Sequence, residues 1–431
     1  MNQFRTLIWS AFFLALSGLG APSFAQRIQA FQFNGANGST PSSDLIADPA
    51  GNLYGTTQRG GTCNAQDDGC GTVFEFSPPS APGGQWTQTT IYTFQGAPDG
   101  KFPNGGLALD KAGNLFGTTQ FGGTEGLPQG VGTVFELSPP ARAGGAWTET
   151  ILYNFGYGSL DGNTPLAPVI FDSSGNLYGT TPVGGAGPFG AGTVFELSPP
   201  SQRGRAWTQM VLYVFGTTEG DVSEPETPVV FDSAGNLYGT SISGGTGSCF
   251  DGCGTVFELS PSGGSWTETV LHSFGTVPND GAQPVAALAV TPSGALLGTT
   301  QGGGLNNHGV VFALAPPPSP GEPWGYGLPY LFTGGADGGR PESRLTLMLG
   351  KPPVLFGTTA NGGLFSEGTV YQLTPTSSPG GNWSETVLYN FLGANDGARP
   401  EAGVLLHGVA LYGTASQGGI PGFGTAFRLS H

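Results

Sequence analysis

The sequence predicts an all-β protein, a seven-bladed β-propeller with four antiparallel strands in each blade. The first observation is a motif, Gly-Asn-Leu-Tyr-Gly-Thr-Thr at residues 175–181, that returns along the chain. Its central Gly-Thr begins at Gly55, Gly117, Gly179, Gly239, Gly298, Gly357 and Gly413, at spacings of 62, 62, 60, 59, 59 and 56 residues. The second observation is that one repeat holds four runs of β-branched and aromatic residues. Units repeated at a fixed period bury their apolar faces against each other, which predicts a closed ring.

The strands can be assigned within residues 164–215. Residues 169–171 form the first strand, and the turn-forming run 172–176 reverses the chain into the second strand at 177–181. A glycine-rich loop leads to the third strand at 192–198, which two prolines end. Residues 207–215 begin with a tryptophan and form the fourth strand.

The copies of the third and fourth strands differ in number. Seven third strands begin at Gly71, Gly132, Gly192, Gly254, Gly309, Gly368 and Gly424. Six fourth strands begin at Trp86, Trp147, Trp207, Trp266, Trp324 and Trp383. Residues 27–33 resemble a fourth strand, so we predict that they complete the last blade and remove the open edge of the array.

The predicted organisation is a leader followed by one domain. Residues 1–25 have Arg5, an apolar run and the sequence Ser-Phe-Ala at 23–25, which is typical of a cleaved signal peptide. A membrane anchor is the alternative, but the apolar run is too short to span a bilayer. Residues 26–431 are expected to form a single propeller with repeats at about 41–94, 103–155, 165–215, 225–274, 284–332, 341–391 and 400–431 plus the closing strand 27–33.

Composition limits the partners. The formal charge is −16, and a net-acidic surface repels phosphate backbones, which argues against nucleic-acid binding. No segment after the leader is apolar enough to cross a membrane. We therefore expect a secreted or periplasmic monomer whose partners are a glycan or an extracellular protein.

The recurring run Asp-x-x-Gly-Asn-Leu-Tyr-Gly-Thr-Thr, then Gly-Gly, then Gly-Thr-Val-Phe-Glu-Leu, resembles the GloVer tandem repeat of secreted bacterial proteins. The resemblance covers residues 41–431. Repeats one to four match best, with Asp48, Asp110, Asp172 and Asp232 opening the hairpin, whereas repeats six and seven lack this aspartate. The resemblance implies secretion and brings no activity.

The segment between each fourth strand and the next first strand, here called the connector, carries its own repeat, Asp-Gly-x-x-Pro. Its aspartates are Asp99, Asp161, Asp221, Asp280, Asp337 and Asp396. In a propeller these turns lie around one mouth of the channel, where they could bind a ligand, including calcium. The alternative is that each aspartate accepts hydrogen bonds from backbone N–H groups in its own turn.

Residues that break the symmetry are better candidates for a site. Glu226, Glu342 and Glu401 follow the connector prolines, with Arg340, Arg344 and Arg399 close by. Carboxylates beside guanidinium groups could bind a sugar or act as an acid/base pair. Solvated ion pairs explain them equally well.

Two cysteine pairs lie in corresponding loops of repeats one and four, Cys63 with Cys70 and Cys249 with Cys253. A zinc site shared by all four would have to reach across the ring. Two local disulfides fit better and indicate an oxidising compartment. We expect no cofactor, with calcium the one candidate metal.

These features predict a non-enzymatic binding or surface-interaction module that presents an acidic rim to a glycan, a cation or a protein. The alternative is a carbohydrate-active enzyme, a hydrolase or lyase, with its site at the same channel mouth. An enzyme should show two or three carboxylates, or a Tyr/His/Arg cluster, converging in that mouth.

Overall fold

The structure is a computed structural model of the full chain. It describes residues 27–430 except for short loop segments at 64–67, 82–83, 127–128, 143, 157, 159, 186–189, 203–204, 219, 320, 377–381 and 421. The predicted signal peptide, residues 1–25, lies outside the described residues.

The chain forms seven four-stranded antiparallel sheets, and these are the predicted blades. The strands are given from the first to the fourth. Blade 1 has Ile46–Ala47, Leu53–Thr57, Thr72–Ser77 and Thr87–Thr93, and blade 2 has Ala108–Leu109, Leu115–Thr119, Thr133–Ser138 and Thr148–Asn154. Blade 3 has Ile170–Phe171, Leu177–Thr181, Thr193–Ser198 and Thr208–Val214, and blade 4 has Val230–Phe231, Leu237–Ser241, Thr255–Ser262 and Ser265–Ser273. The strands of blades 5 to 7 are Ala289–Val290, Leu296–Thr300, Val310–Ala315 and Gly325–Leu331; Thr346–Met348, Val354–Thr359, Thr369–Thr374 and Ser384–Asn390; Leu405–His407, Ala410–Ala415, Thr425–Ser430 and Arg27–Gln32.

The ring is closed by strands from both ends of the described chain, as predicted. Arg27–Gln32 pairs antiparallel with Thr425–Ser430, and Ile28 lies opposite Leu429. The closing strand therefore removes the edge that the third strand of blade 7 would otherwise expose.

A ring of aromatic contacts joins the blades. The phenylalanine that follows each fourth strand packs edge-to-face on the aromatic residue of the next blade's third strand. The seven pairs are Phe33–Phe74, Phe94–Phe135, Phe155–Phe195, Phe215–Phe257, Phe274–Phe312, Phe332–Tyr371 and Phe391–Phe427, with ring centroids 5.0–5.2 Å apart. All of these side chains are buried. Because Phe33 makes the same contact as its six counterparts, the closing strand packs like any other fourth strand.

The glycine inside each second strand makes room for the same aromatic residue. Gly179 lies opposite Phe195 in the register, and a Cβ on Gly179 would lie under 3.0 Å from that ring. The close neighbour is thus an aromatic residue of the same blade. A side chain at this position would push the ring out of the blade interface.

The connectors lie on the same face as the loops between second and third strands, as the propeller topology requires. Short ladders join the two in blades 2 to 5: Gly100–Lys101 with Phe121–Gly122, Gly162–Asn163 with Val183–Gly184, Val222–Ser223 with Ser243–Gly244, and Gly281–Ala282 with Gly302–Gly303. A 3₁₀ turn at Leu305–Asn307 is the helical element of the described residues.

Both predicted disulfides are present, Cys63–Cys70 and Cys249–Cys253. Each closes a loop on the connector face within a single blade. Among the described residues, no helix is long and apolar enough to cross a membrane.

Candidate functional site: the axial cavity

The connectors are held rigidly where they approach the axis. Each ends in a buried proline, and the residue before that proline has a φ between 51° and 58°. The residues with this left-handed backbone are Thr40, Phe102, Thr164, Glu224, Gln283, Arg340 and Arg399. The proline ring packs over the glycine that heads the preceding blade's third strand, where a Cβ would lie under 3.0 Å from the proline Cδ. This contact explains why glycine begins every third strand.

A second repeated contact fixes the residues after each proline. A buried threonine hydroxyl in the second strand of one blade donates to a backbone carbonyl at the start of the next blade. The pairs are Thr56–Gly105, Thr118–Ala167, Thr180–Thr227, Thr240–Ala286, Thr299–Ser343, Thr358–Ala402 and Thr414–Ser43, at 2.8–3.4 Å. The ring of hydrogen bonds is complete, so the position after each proline is held the same way in all seven blades.

The residue directly after each proline, one position before the carbonyl that accepts this hydrogen bond, lines one cavity on the ring axis. These seven residues are Ser42, Asn104, Leu166, Glu226, Val285, Glu342 and Glu401. The cavity has a volume of about 150 Å³, room for about five water molecules at 30 Å³ each. Its chemistry is asymmetric, because carboxylates come from blades 4, 6 and 7 and uncharged side chains from the others.

The structure thus brings together the three glutamates singled out from the sequence. Arg340 donates from Nη2 to Glu342 Oε1 at 2.8 Å, and Arg399 Nη2 lies 3.2 Å from Glu401 Oε1. Arg340 also donates to Gln301 Oε1 at 2.8 Å. These two arginines lie outside the cavity and partly neutralise the glutamates inside it.

One charged lining residue was missed by the sequence reasoning. Asp44 Oδ2 lies 3.2 Å from Arg344 Nε, and Asp44 Oδ1 accepts a hydrogen bond from Gly403 N at 2.6 Å. Both side chains line the cavity. A signal existed, because Asp44 and Arg344 each stand three residues after a connector proline, a position that is uncharged in the other five blades.

Glu226 differs from the other carboxylates. Within the described part of the chain, no cationic side chain lies within ion-pair distance of it. Burial raises the pKa of Glu226, and the nearby Glu224 adds to the effect. Burial also raises the pKa of Glu401, with Glu342 contributing and Arg399 opposing. Two carboxyl groups of the cavity therefore bind a proton more readily than an exposed glutamate.

The six connector aspartates lie outside the axial cavity. Each accepts a hydrogen bond at 2.7–3.1 Å from a backbone N–H at the start of its own connector. The donor and acceptor pairs are Gln95–Asp99, Gly156–Asp161, Thr217–Asp221, Thr276–Asp280, Thr333–Asp337 and Leu392–Asp396. Four also accept from a tyrosine hydroxyl in the fourth strand that directly precedes their connector, with the pairs Tyr92–Asp99, Tyr153–Asp161, Tyr330–Asp337 and Tyr389–Asp396. This geometry supports their role in the turns, and ligand contact by them stays a prediction. Asp221 also borders a separate open cleft of about 570 Å³ between blades 3 and 4.

A Tyr–His–Asp cluster replaces this pattern between blades 4 and 5. Asp280 accepts a hydrogen bond from Tyr326 Oη at 2.5 Å, lies 3.2 Å from His272 Nε2, and is almost fully buried. Burial alone would raise the pKa of Asp280, but hydrogen bonds from His272 and Tyr326 hold the pKa below its ordinary value. These residues do not line the axial cavity, so they do not form the converging cluster expected of an enzyme.

No group of three or more His, Cys, Asp or Glu side chains among the described residues is close enough to hold a metal ion. The axial glutamates share a cavity without forming a metal-binding cluster. Calcium binding stays a prediction.

The repeat has a known counterpart. The family model of the Gloeobacter/Verrucomicrobia repeat matches residues 21–220 and 125–351. The chain belongs to this repeat family. A search of curated proteins found no match.

Solved structures resemble the Gloeobacter/Verrucomicrobia repeat chain in fold. Virginiamycin B lyase from Staphylococcus aureus superposes with a TM-score of 0.52 at 12% identity, covering 94% of this chain and 100% of that chain. An ulvan lyase, a polysaccharide lyase, superposes with a TM-score of 0.50 at 11% identity, covering 93% and 96% of the two chains. At this identity the likeness shows the propeller fold alone.

Proposed function

We propose that this protein is a secreted, non-enzymatic binding propeller whose axial cavity holds one sugar residue of a glycan. The observation that carries the proposal is that Glu226, Glu342, Glu401, Asp44 and Arg344, from blades 4, 6, 7 and 1, line a single small cavity. Carboxylates accept hydrogen bonds from sugar hydroxyls, and a guanidinium donates to their oxygens.

The size and lining of the cavity support a sugar. Its volume of about 150 Å³, room for about five water molecules, limits the ligand inside it to one small sugar residue. Asn104 and Ser42, from blades 2 and 1, add amide and hydroxyl groups to the lining, so the cavity offers both donors and acceptors. Polar groups fixed in place by the connector contacts lose little conformational entropy when a ligand binds.

Binding fits better than catalysis because three of the four carboxylates already have a guanidinium partner. An ion pair favours the charged form of a carboxylate and so opposes its use as a proton donor, although in Glu401 burial outweighs Arg399 and leaves the pKa raised.

The test is a glycan array probed with the wild-type protein and with Asn104→Trp, which fills the cavity. Val183→Trp, on the exposed rim outside the cavity, is the matched control. We expect Asn104→Trp to lose the glycans that the wild type and Val183→Trp bind. Equal binding by all three proteins would place the ligand elsewhere and overturn the proposal.

A carbohydrate-active enzyme is the second candidate, and Glu226 is the observation that favours it. Its raised pKa and lack of a cationic partner suit a general acid. Glu226→Gln, with Glu322→Gln on the exposed surface as the control, separates the two functions on any glycan found by the array. Release of new reducing ends that stops in Glu226→Gln while binding persists would establish the enzyme.

Secretion or export to the periplasm is part of the proposal. Two disulfides within the described residues support it, because such bonds persist in oxidising compartments. Finding the protein in its reduced form in the cytoplasm of the native cell would contradict this location.

A further inference from the structure

The third residue of each tryptophan-led fourth strand differs between blades in a way that affects proton binding. Blades 2, 4 and 6 have Glu149, Glu268 and Glu385 at this position, two residues after the tryptophan. Blades 1 and 3 have Gln88 and Gln209 there.

Each of these glutamates faces the aspartate of the connector that leads into its own blade. Glu149 lies close enough to Asp99, and Glu268 to Asp221, for a hydrogen bond to form when one carboxyl group of the pair carries a proton. Glu385 lies close enough to Asp337 for their charges to interact. In all three glutamates Oε1 is buried and receives no hydrogen bond from a described residue. Since two carboxylates cannot donate to each other, such a pair is satisfied only when one group carries a proton.

Blades 1 and 3, which have glutamine at this position, show the hydrogen bond that a bound proton would supply in the other blades. Gln209 Nε2 donates to Asp161 Oδ1 at 3.4 Å, and Asn37 Nδ2 donates to Gln88 Oε1 at 2.8 Å. An amide hydrogen there makes the link that a proton from solvent must make in blades 2, 4 and 6.

Tyrosines also face the pairs. Tyr92 lies near Glu149, Tyr213 donates to Glu268 Oε2 at 3.1 Å, and Tyr330 and Tyr371 lie near Glu385. Burial raises the pKa of each of these tyrosines, which keeps them neutral. The pKa of Glu149 and Glu385 is raised to about 7 and that of Glu268 to about 8. Burial is the largest cause in each case, and the negative charge of the facing aspartate is the second.

We propose that the pairs Asp99–Glu149, Asp221–Glu268 and Asp337–Glu385 are proton-dependent clamps that fasten three connectors to the fourth strands of blades 2, 4 and 6. A pKa raised in the folded state stabilises the fold fully below the unfolded value near 4.5, and the effect is lost as pH rises through about 7 to 8. Two of the clamped connectors continue to Glu226 and Glu342, five residues after their aspartates, so opening the clamps loosens one side of the axial cavity. The clamps do not depend on which ligand that cavity holds.

The experiment measures the unfolding temperature of the full protein between about pH 6 and pH 9. For the wild type we expect a fall of about 3 to 5 °C over this range, after allowance for solvent screening of partly exposed groups. The triple variant Glu149→Gln, Glu268→Gln and Glu385→Gln should fall by less than about 1 °C, because the amide supplies the hydrogen at every pH. The control triple Glu136→Gln, Glu196→Gln and Glu258→Gln removes as many carboxylates from third strands, where Ser138, Ser198 and Ser260 donate to them, and should keep the wild-type slope.

The proposal would be overturned if the unfolding temperature of the wild type did not fall over this pH range. It would also be overturned if the unfolding temperature of the triple glutamine variant fell as much as that of the wild type. If the triple variant does not fold, the single variants serve as the test. Glu268→Gln should then remove about half of the fall and Glu149→Gln or Glu385→Gln about a quarter each, because Glu268 has the higher pKa. An unchanged slope in all three would overturn the proposal.

Discussion

Tyr371 provides the sharpest test of how the blades are packed. Six blades place phenylalanine at this position of the third strand, and blade 6 places tyrosine there. The ring makes the same edge-to-face contact as its counterparts, 5.1 Å from Phe332. Its side chain is fully buried, and its hydroxyl has no hydrogen-bond partner among the described residues. The hydroxyl is therefore desolvated without compensation.

Tyr371→Phe should stabilise the protein. Leaving a buried hydroxyl unpaired costs about 1 to 3 kcal/mol, and the substitution removes it while the ring stays. For a cooperative unit of roughly 400 residues, an unfolding entropy of about 2.1 cal/mol/K per residue means that 1 kcal/mol shifts the unfolding temperature by about 1 °C. We expect a rise of about 1 to 3 °C by calorimetry and a matching increase in the denaturant midpoint.

The control makes the same chemical change where the hydroxyl is paired. Tyr330 Oη donates to Asp337 Oδ2 at 3.2 Å, so Tyr330→Phe should destabilise by about 0.5 to 1.5 kcal/mol. Opposite signs for the two variants are the expected result. If Tyr371→Phe is neutral or less stable than the wild type, the hydroxyl has a partner, and the account of this blade interface is wrong.

Three further predictions concern the closure, the hairpins and the loops. Phe33→Ala and Phe155→Ala should each cost about 3 to 5 kcal/mol, because both rings are buried in equivalent contacts; a much smaller loss for Phe33→Ala in denaturant unfolding would show that the closing strand contributes little. Asp232 accepts hydrogen bonds from Ala234 N, Asn236 N and Asn236 Nδ2 at 2.8–2.9 Å. Burial alone would raise the pKa of Asp232, but these bonds hold the pKa below its ordinary value, so the contribution of Asp232 to stability is present above pH 3.8 and lost as the pH falls further. Asp232→Ala should therefore lower stability at pH 7 by about 1 to 2 kcal/mol. Replacing both cysteines of either disulfide with serine should cost about 2 kcal/mol by loop entropy, and calorimetry that shows global unfolding at room temperature instead would assign these loops a larger role.

Much of the fold could be predicted from the sequence because each blade repeats the same physical solution. The seven repeats, the four strands of each blade and the closing strand all followed from the spacing of the motifs. The hairpins of blades 6 and 7 lack the opening aspartate of blades 1 to 4. They form nonetheless, at Thr346–Met348 with Val354–Thr359 and at Leu405–His407 with Ala410–Ala415, because the apolar faces of these strands are buried against neighbouring blades.

The candidate site was less predictable because it depends on contacts between blades that are far apart in sequence. Glu226, Glu342 and Glu401 could be chosen because they break the repeat, but their meeting on the axis follows from ring closure. Asp44 pairs with Arg344 across 300 residues of chain, and spacing within one repeat contains no information about that pair.

The connector shows why a site can vary on so regular a ring. Its proline and the carbonyl that receives the threonine hydroxyl contact a neighbouring blade, and its aspartate accepts a hydrogen bond within the connector, so a change at any of them alters the fold. The residue directly after the proline is different, because its backbone is already fixed and its side chain faces the axial cavity. The fold therefore places no demand on the chemistry of that side chain. Seven such positions accept serine, asparagine, leucine, valine and glutamate here, so the side chains that face the proposed ligand can change while the ring stays the same.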